Sequence, residues 1–274
     1  MNILKSFIYG IVYGLSEFLP ISTYAHKRIL SDLFGITVGD PLQSILVHIA
    51  LILAVFTGCR NSIDKLRKGQ LSLRRNRRGS RGSSNVSELL FLRNAVIPML
   101  LLSFILYRCV KLSNSILWLT LFSLINGILL IVQSRLMQGH KDEKSMSFFD
   151  SVFIGASAAF SAFPGISRIT AMLTASTIRG IDRQKAMDWI ILLSVPALLF
   201  NIFMDISAIF SSPTTVNISA NIFNYVFSTA GAYVSGYLGI LFIKSHSANS
   251  DHSSFAFYSL GVALFTVFMY LTIA

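Results

Sequence analysis

Residues 10–26, Gly-Ile-Val-Tyr-Gly-Leu-Ser-Glu-Phe-Leu-Pro-Ile-Ser-Thr-Tyr-Ala-His, place a carboxylate, three hydroxyls and an imidazole in a hydrophobic segment. Gly14 and Pro20 interrupt this segment. A segment that only spans a membrane needs none of these groups, because ionisable side chains are costly in hydrocarbon. We therefore expect a broken helix that carries part of a functional site.

The composition of the whole chain is that of a membrane protein. Of its 274 residues, 53% are hydrophobic and 13% are charged, which is too little polar side chain to coat a soluble globule of this size. The predicted fold class is an all-α polytopic membrane protein, with residues 1–274 in a single domain.

The net charge of +11 could indicate a nucleic-acid partner. Because the basic residues concentrate in short loops between apolar runs, we expect no nucleic-acid partner.

Six apolar runs predict membrane-spanning helices. They cover residues 42–58, 89–107, 112–132, 186–210, 220–243 and 255–274. Between the first two spans lies the segment 60–84, which carries nine Lys or Arg against one acid, Asp64. Positive charge marks cytoplasmic loops, so this polybasic loop is predicted to be cytoplasmic, and its Ser, Gly and Asn content predicts flexibility. Lipid headgroups are the expected partner of its charge.

The chain contains a weak internal repeat. Residues 7–22 match residues 152–167 at five of sixteen positions, among them Gly10 with Gly155. The second copy lies in residues 148–181, a segment rich in small residues and broken at its Pro-Gly pair. Broken helices at membrane depth must be buried in protein or line a watery cavity.

The two copies divide the chain into two similar halves. Repeat one covers about residues 1–135 and repeat two about 148–274, and each has a broken element followed by three spans. Since three is odd, the second copy enters from the opposite face, which predicts an inverted-topology repeat. The polar residues of the two broken elements are then expected to meet at one site: Glu17, Ser22, Thr23, His26, Ser167 and Arg168.

Arg168 is the most informative basic residue, because an arginine within an apolar segment is costly unless it pairs or serves a function. Its guanidinium suits phosphate or carboxylate oxygens, and the preceding Pro164 and Gly165 can free backbone N–H groups for an anion. The alternative is an ion pair with Glu17 that only braces the repeats. Glu17 could also bind a cation or act as a general acid or base.

The other polar candidates also have structural alternatives. His26 transfers a proton or lies at the membrane interface. Ser22, Thr23 and Ser167 are nucleophiles or phosphate ligands, or they satisfy backbone carbonyls as hydroxyls in membrane helices commonly do.

Two further polar residues, His48 and Asp205, are predicted to have structural roles only. His48, within the first span, is interpreted as hydrogen-bonded packing. Asp205 lies near the end of a span, where its side chain can extend to the interface.

At these motifs the chain resembles the bacterial undecaprenyl-diphosphate phosphatases, the bacitracin-resistance family that recycles the lipid carrier of cell-wall synthesis. The family signature Glu-Gly-x-Thr-Glu-Phe-Leu-Pro-x-Ser-Ser-Thr-Gly-His corresponds to residues 13–26, and Pro-Gly-x-Ser-Arg-Ser-Gly-x-Thr to residues 164–172. The resemblance covers essentially the whole chain in length, span order and motif position. Tyr13 stands at the first motif glutamate, Ile169 at a hydroxyl and Met172 at a threonine.

The resemblance implies inverted repeats with two re-entrant helix pairs, and hydrolysis of an isoprenoid lipid diphosphate in the bacterial plasma membrane. It assigns catalytic roles to Glu17, which would handle a divalent metal (Mg²⁺ or Ca²⁺) or a proton, to His26, which would transfer a proton, and to Arg168. Thr23 takes the place of a candidate nucleophilic serine.

The substrate-binding residues implied by the resemblance are Ser22, Ser167, Arg168 and Gly165. Loss of the carboxylate at position 13 weakens a hard-cation site, which prefers several oxygen ligands. The alternative function is therefore a weakly active or non-catalytic relative that binds or flips an isoprenoid lipid carrier. Membrane lipids are the other expected partners, and the sequence leaves a homo-oligomer open.

Overall fold

The computed structural model describes residues 2–36, 40–75, 84–109, 115–211, 218–248 and 252–273. Apart from one isolated bridge between Lys141 and Ile181, the regular structure of these ranges is helical. The α-helices are α1 (Ile3–Phe18), α2 (Thr23–Phe34), α3 (Pro41–Gly58), α4 (Arg60–Arg75), α5 (Ser84–Cys109), α6 (Ile116–Arg135), α7 (Phe148–Ser157), α8 (Arg168–Ile178), α9 (Arg183–Ser211), α10 (Ile218–Ala248) and α11 (Ser253–Ile273). A 3-10 turn over Ala158–Ala162 continues α7.

Six of the described helices, α3, α5, α6, α9, α10 and α11, are long and apolar enough to cross a membrane. They coincide with the six predicted spans, and three of them, α5, α9 and α10, extend the prediction at both ends. The prediction of an all-α polytopic membrane protein is therefore confirmed. Many large apolar side chains on these helices are exposed, as expected for surfaces that face lipid.

Two segments that the sequence assigned to polar or flexible connections are helical instead. The first part of the polybasic loop forms α4, so its predicted flexibility is wrong for Arg60–Arg75. Ile63 and Leu66 recur at helical spacing and pack against the core, which holds α4 beside α5. Residues 27–40, a polar interval in the sequence between the first motif and the first span, likewise contain most of α2. Parts of four predicted connections, at residues 76–83, 110–111, 212–217 and 249–251, lie outside the described residues, as do the first three residues of the predicted span 112–132.

Both broken elements have the predicted form of a helix, a break and a second helix. α1 ends at Phe18 and α2 starts at Thr23, while the 3-10 turn after α7 ends at Ala162 and α8 starts at Arg168. The matched serines cap the second helix in each case. Ser22 Oγ accepts the N–H of Ala25 at 3.2 Å, and Ser167 Oγ accepts that of Thr170 at 3.4 Å. An N-cap of this kind satisfies a backbone donor that the helix itself leaves unpaired.

The glycines matched in the repeat also have equivalent packing roles. A Cβ on Gly10 would overlap the carbonyl oxygen of Ser228 in α10, and a Cβ on Gly155 would overlap that of Ala95 in α5. Small residues of this kind let helix backbones approach closely. The first helix of each half therefore packs on a helix of the other half, as a two-fold relation requires. Whether the halves enter from opposite membrane faces stays a prediction.

Candidate functional site

The tips of the two broken elements meet against α6. The carbonyl oxygen of Pro20, in the first break, accepts hydrogen bonds from Thr170 Oγ1 at 3.0 Å and from Asn126 Nδ2 at 3.3 Å. Asn126 Oδ1 accepts the backbone N–H of Ser167, in the second break, at 2.8 Å. The side chain of Asn126 is buried, and it joins both tips. No motif in the sequence marks this residue, because it lies in an ordinary span.

Gly165 brings the second tip against α6. Its φ of 115° lies in the region that side chains other than glycine rarely adopt, and a Cβ there would lie 2.5 Å from the backbone nitrogen of Ser123. Both facts require glycine at this position. The structure thus explains Gly165 by backbone conformation and close approach, and its predicted contact with substrate stays untested.

Glu17 and Arg168 form an ion pair at the meeting point. Arg168 Nη2 donates to Glu17 Oε1 at 2.8 Å, and the two side chains are 10% and 9% exposed. Thr23 Oγ1 donates to the other carboxylate oxygen, Oε2, at 3.1 Å. Within the described residues, the buried Nε of Arg168 has no hydrogen-bond partner. An unpaired buried donor is costly, so this N–H group is suited to donate a hydrogen bond to an oxygen of an anionic ligand.

These side chains line a cavity of about 430 Å³. Glu17, Thr23, Ser167 and Arg168 contribute from the broken elements, while α5 and α9 contribute mostly apolar side chains. The predicted convergence of the two elements is therefore found for these four residues. Arg168 is the first residue of α8, and Ser167 is its N-cap. The positive end of the α8 dipole consequently adds to the arginine charge at the cavity.

Ser22 and His26 lie on another side of the first tip. His26 Nδ1 is 2.7 Å from the carbonyl oxygen of Ser22, and its Nε2 is 2.6 Å from the hydroxyl of Tyr258 in α11. Both residues line a separate small pocket next to Gly165. The structure therefore does not bring His26 into the cavity with Glu17, and the proton-transfer role of His26 stays a prediction.

A second polar group in the cavity wall was not predicted from the sequence. The hydroxyl of Tyr13 lies 2.6 Å from His48 Nε2, and His48 Nδ1 lies 3.2 Å from Asp205 Oδ2. Hydrogen-bonded packing of His48 is what the sequence predicted. Extension of Asp205 to the interface is wrong, since its carboxylate faces the cavity. Asn201 and Asp205, one turn apart on α9, line the same wall, and this spacing could have revealed the polar face.

Lys27 is a further cavity residue that was not predicted from the sequence. It follows Thr23 by four positions on α2, so both side chains are on one face of the helix. Its ammonium lies 4.8 Å from the centroid of the Tyr13 ring, a cation–π contact. In the sequence Lys27 belongs to the polar interval 27–40, where a charge needs no special explanation.

The residues present do not fit a dedicated site for a divalent cation. Both oxygens of Glu17 are bonded, one to Arg168 and one to Thr23. Tyr13 occupies the position at which the family signature has a second carboxylate. No group of three His, Cys, Asp or Glu side chains in the described ranges could hold a metal ion. The expectation that Glu17 handles Mg²⁺ or Ca²⁺ stays a prediction, and no step below depends on it.

The fold and the cavity define a multi-pass membrane protein in which two broken helices hold a buried arginine–carboxylate pair at one cavity. The comparison of the sequence with protein families gives the same class. Residues 6–265 match the family described as Bacitracin resistance protein BacA. Because this match covers nearly the whole chain, the protein belongs to that family.

Proteins named undecaprenyl-diphosphatase are similar to this chain along almost its full length. The protein of Treponema denticola is 28% identical over 266 residues, which is 96% of each chain. That of Prochlorococcus marinus is 26% identical over 269 residues, covering 94% of each chain. That of Methanosphaera stadtmanae is 28% identical over 278 residues, covering 98% of each.

Proposed function

We propose that this chain is a membrane hydrolase that removes the terminal phosphate of undecaprenyl diphosphate, or of a similar polyprenyl diphosphate, and leaves the monophosphate. This reaction would recycle the lipid carrier of cell-wall synthesis in the bacterial plasma membrane. Membership of the bacitracin-resistance family and the names of the relatives support it. The observation in the structure that carries it is the Arg168–Glu17 pair at the cavity.

Arg168 supplies the charge that attracts the diphosphate. Its guanidinium can hold two phosphate oxygens at once, and its position at the start of α8 adds the helix dipole. Its Nε is free to donate without loss of an existing bond. In phosphoryl transfer the protein contributes mainly position and electrostatic stabilisation. An arginine in the wall of the cavity provides both.

Glu17 and Thr23 supply the acid–base chemistry. The hydroxyl of Thr23 already donates to Glu17, the arrangement expected of a nucleophile and its base. When Arg168 turns to the phosphate, Glu17 is free to accept a proton from Thr23 Oγ1 or from a water molecule. The deprotonated oxygen attacks the terminal phosphorus, and the bond from that phosphorus to the bridging oxygen breaks. The lipid monophosphate leaves. If Thr23 was the nucleophile, a water molecule then hydrolyses the bond between Thr23 Oγ1 and phosphorus and releases the phosphate.

The apolar part of the cavity suits a prenyl chain. Met99 and Leu100 from α5 and Phe200 from α9 line it beside the polar groups. A diphosphate head at the tips and a hydrocarbon tail between the helices would match this division. The relatives named above are hydrolases by name, and a function limited to binding or flipping the lipid is not favoured by them.

Phosphate release tests the function directly. The purified full chain in detergent is given farnesyl or undecaprenyl diphosphate, with Mg²⁺, with Ca²⁺ and with EDTA. We expect Glu17→Gln to lower the rate by about 100-fold or more, because it removes the general base. Glu143→Gln changes the same chemical group in a pair with Lys185, away from the cavity, and serves as the matched control.

The contradicting result is equally direct. If the wild-type protein releases no more phosphate than the Glu17→Ala, Arg168→Ala double variant under any of these conditions, the chain is not a diphosphatase. Thr23→Ser and Thr23→Val distinguish the two routes of attack. A covalent route requires the hydroxyl, whereas attack by water tolerates its loss.

A further inference from the structure

Lys27 is a second cation in the wall of the cavity. The two carboxylates that line this cavity face other partners, since Glu17 pairs with Arg168 and Asp205 lies beside His48. Within the described residues, Lys27 takes part in no ion pair, and the contact recorded for its ammonium is the face of the Tyr13 ring. The lysine therefore brings a positive charge to the cavity that no carboxylate offsets at contact distance.

A lysine in a membrane-embedded helix usually extends to the interface to keep its ammonium in water. The ammonium of Lys27 instead lies over a buried aromatic ring. The ring beneath its ammonium belongs to a side chain only 3% exposed, and both residues line the 430 Å³ cavity. A charge that has no ion-pair partner among the described residues is costly in such a place and points to a function.

A lipid diphosphate has two adjacent phosphate groups and more than one negative charge. A single arginine cannot neutralise both groups, and the residues around Glu17 do not form a dedicated cation site. Lys27 and Arg168 line the same cavity from the two different broken elements. A diphosphate placed between the elements would therefore meet one cation from each.

We propose that Lys27 is a diphosphate-binding residue of this site: Lys27 and Arg168 hold the two phosphate groups between them, and Tyr13 is a positioning residue that keeps the Lys27 ammonium in the cavity. The two side chains supply charge neutralisation that a divalent cation would otherwise supply. This role explains why position 13 carries tyrosine rather than glutamate. A carboxylate there would pair with Lys27, whereas an aromatic ring attracts the ammonium and leaves its charge available to the ligand. This inference rests on the proposed function and names how its substrate is bound.

The test measures binding rather than turnover. Inorganic pyrophosphate is titrated into the purified full chain in EDTA, and the dissociation constant is determined by calorimetry. We expect Lys27→Met to weaken pyrophosphate binding about tenfold, the effect of losing one hydrogen bond to a charged group. Lys27→Arg should retain most of the affinity. Arg28→Met is the matched control, because Arg28 is on the same helix but pairs with Asp32 at 2.6 Å.

Titration with orthophosphate distinguishes the loss of a second phosphate-binding group from general damage to the protein. Because one phosphate can remain on Arg168, Lys27→Met should weaken orthophosphate binding much less than pyrophosphate binding. Tyr13→Phe should retain pyrophosphate affinity, and Tyr13→Leu should lower it. In the Lys27→Met background Tyr13→Leu should have no further effect, since the ring acts through the lysine.

Four results would overturn the inference: no pyrophosphate binding by the wild type, equal affinity of wild type and Lys27→Met, a loss that Lys27→Arg fails to restore, or an equal loss for orthophosphate. Failure of the proposed function would look different. Pyrophosphate binding that depends on Lys27, together with no phosphate release from a lipid diphosphate, would reject the hydrolase and retain the binding site.

Discussion

Tyr13 acts on two neighbours through two different parts of its side chain. Its hydroxyl lies 2.6 Å from His48, and the face of its ring lies 4.8 Å from the ammonium of Lys27. A glutamate, which the family signature has at this position, could make neither contact in the same way. The substitution therefore changes the charge of the cavity as well as its shape. The residue at position 13 therefore determines whether the charge of Lys27 is neutralised by a carboxylate or remains available to a ligand.

Restoring the signature carboxylate should change how the cavity binds anions. In Tyr13→Glu, the new carboxylate pairs with Lys27, so pyrophosphate affinity in EDTA should fall about tenfold. Mg²⁺ should then restore binding far more than in the wild type, because a second carboxylate and the ligand oxygens together suit a hard cation. Calorimetry with Mg²⁺ and with EDTA measures both effects.

The control for this change is Tyr13→Gln, which removes the ring without adding charge. It should lower affinity but gain no response to Mg²⁺. An affinity of Tyr13→Glu that is unchanged in EDTA would contradict the role assigned to the ring.

The motifs alone predicted the central residues of the site but not its surroundings. Glu17 and Arg168 stood out because charge is rare in apolar segments, and their pairing was one of the stated alternatives. Lys27 and Asp205 were assigned to connections or interfaces, because a sequence does not show which side of a helix faces a cavity. The orientation of His26 toward Tyr258 depends on a contact between residues 232 positions apart, which no local pattern contains.

At the scale of the elements, Pro20 and the Pro164–Gly165 pair located the two breaks correctly. The predicted interruption at Gly14 is wrong, because Gly14 lies inside α1. Each break is followed by a serine that caps the next helix. The helix α4 was missed because its many basic residues dominated the interpretation, although Ile63 and Leu66 have helical spacing. Charge predicts on which side of the membrane a segment lies, but it does not predict that the segment is disordered.

The second break should depend strongly on its glycine. Gly165→Ala places a side chain at a φ of 115° and against the backbone of α6, so it should destabilise the protein by about 1–3 kcal/mol. We expect a lower midpoint of thermal unfolding in detergent, measured by intrinsic fluorescence.

The matched control is Gly261→Ala in α11. A Cβ on Gly261 meets no described atom within 4 Å, and alanine favours a helix over glycine by up to about 1 kcal/mol. Its midpoint should stay the same or rise. A Gly165→Ala variant as stable as the wild type would show that the tip can adjust and that glycine is not required.

At the scale of the whole molecule, the offset of 145 residues predicted two similar halves, and the helices pair across them. α1 packs on α10 and α7 packs on α5. This packing of each half's first helix on a helix of the other half could not be predicted from the sequence, because it depends on contacts between distant segments. The two glycines that permit it were visible only as matches in a weak repeat.

The length of α9 allows a test of the membrane orientation. Arg183, at its start, donates to the carbonyl oxygen of Leu136 at 2.8 Å, which places it next to the exposed Met137. Its 29 residues span about 44 Å, so the exposed Phe210 near its end lies at the other membrane face. The positive-inside rule predicts that Met137 lies on the cytoplasmic side.

Single cysteines at these two positions, in a chain with Cys59→Ser and Cys109→Ser, report on the orientation. A membrane-impermeant maleimide should label Phe210→Cys in intact cells and Met137→Cys only after permeabilisation. Labelling of Met137→Cys alone from outside would reverse the orientation, and labelling of both would contradict a membrane-spanning α9.

The amide of Asn126 determines when the site is assembled. It accepts from one tip and donates to the other, and these bonds form within the protein itself. The conformational entropy of bringing the tips together is therefore lost once, as the chain folds, and not at every binding event. The affinity of the site is lowered only by the motions that remain, chiefly the release of Arg168 from Glu17. Such preorganisation favours fast capture of the lipid substrate, because the two tips do not have to assemble before it binds.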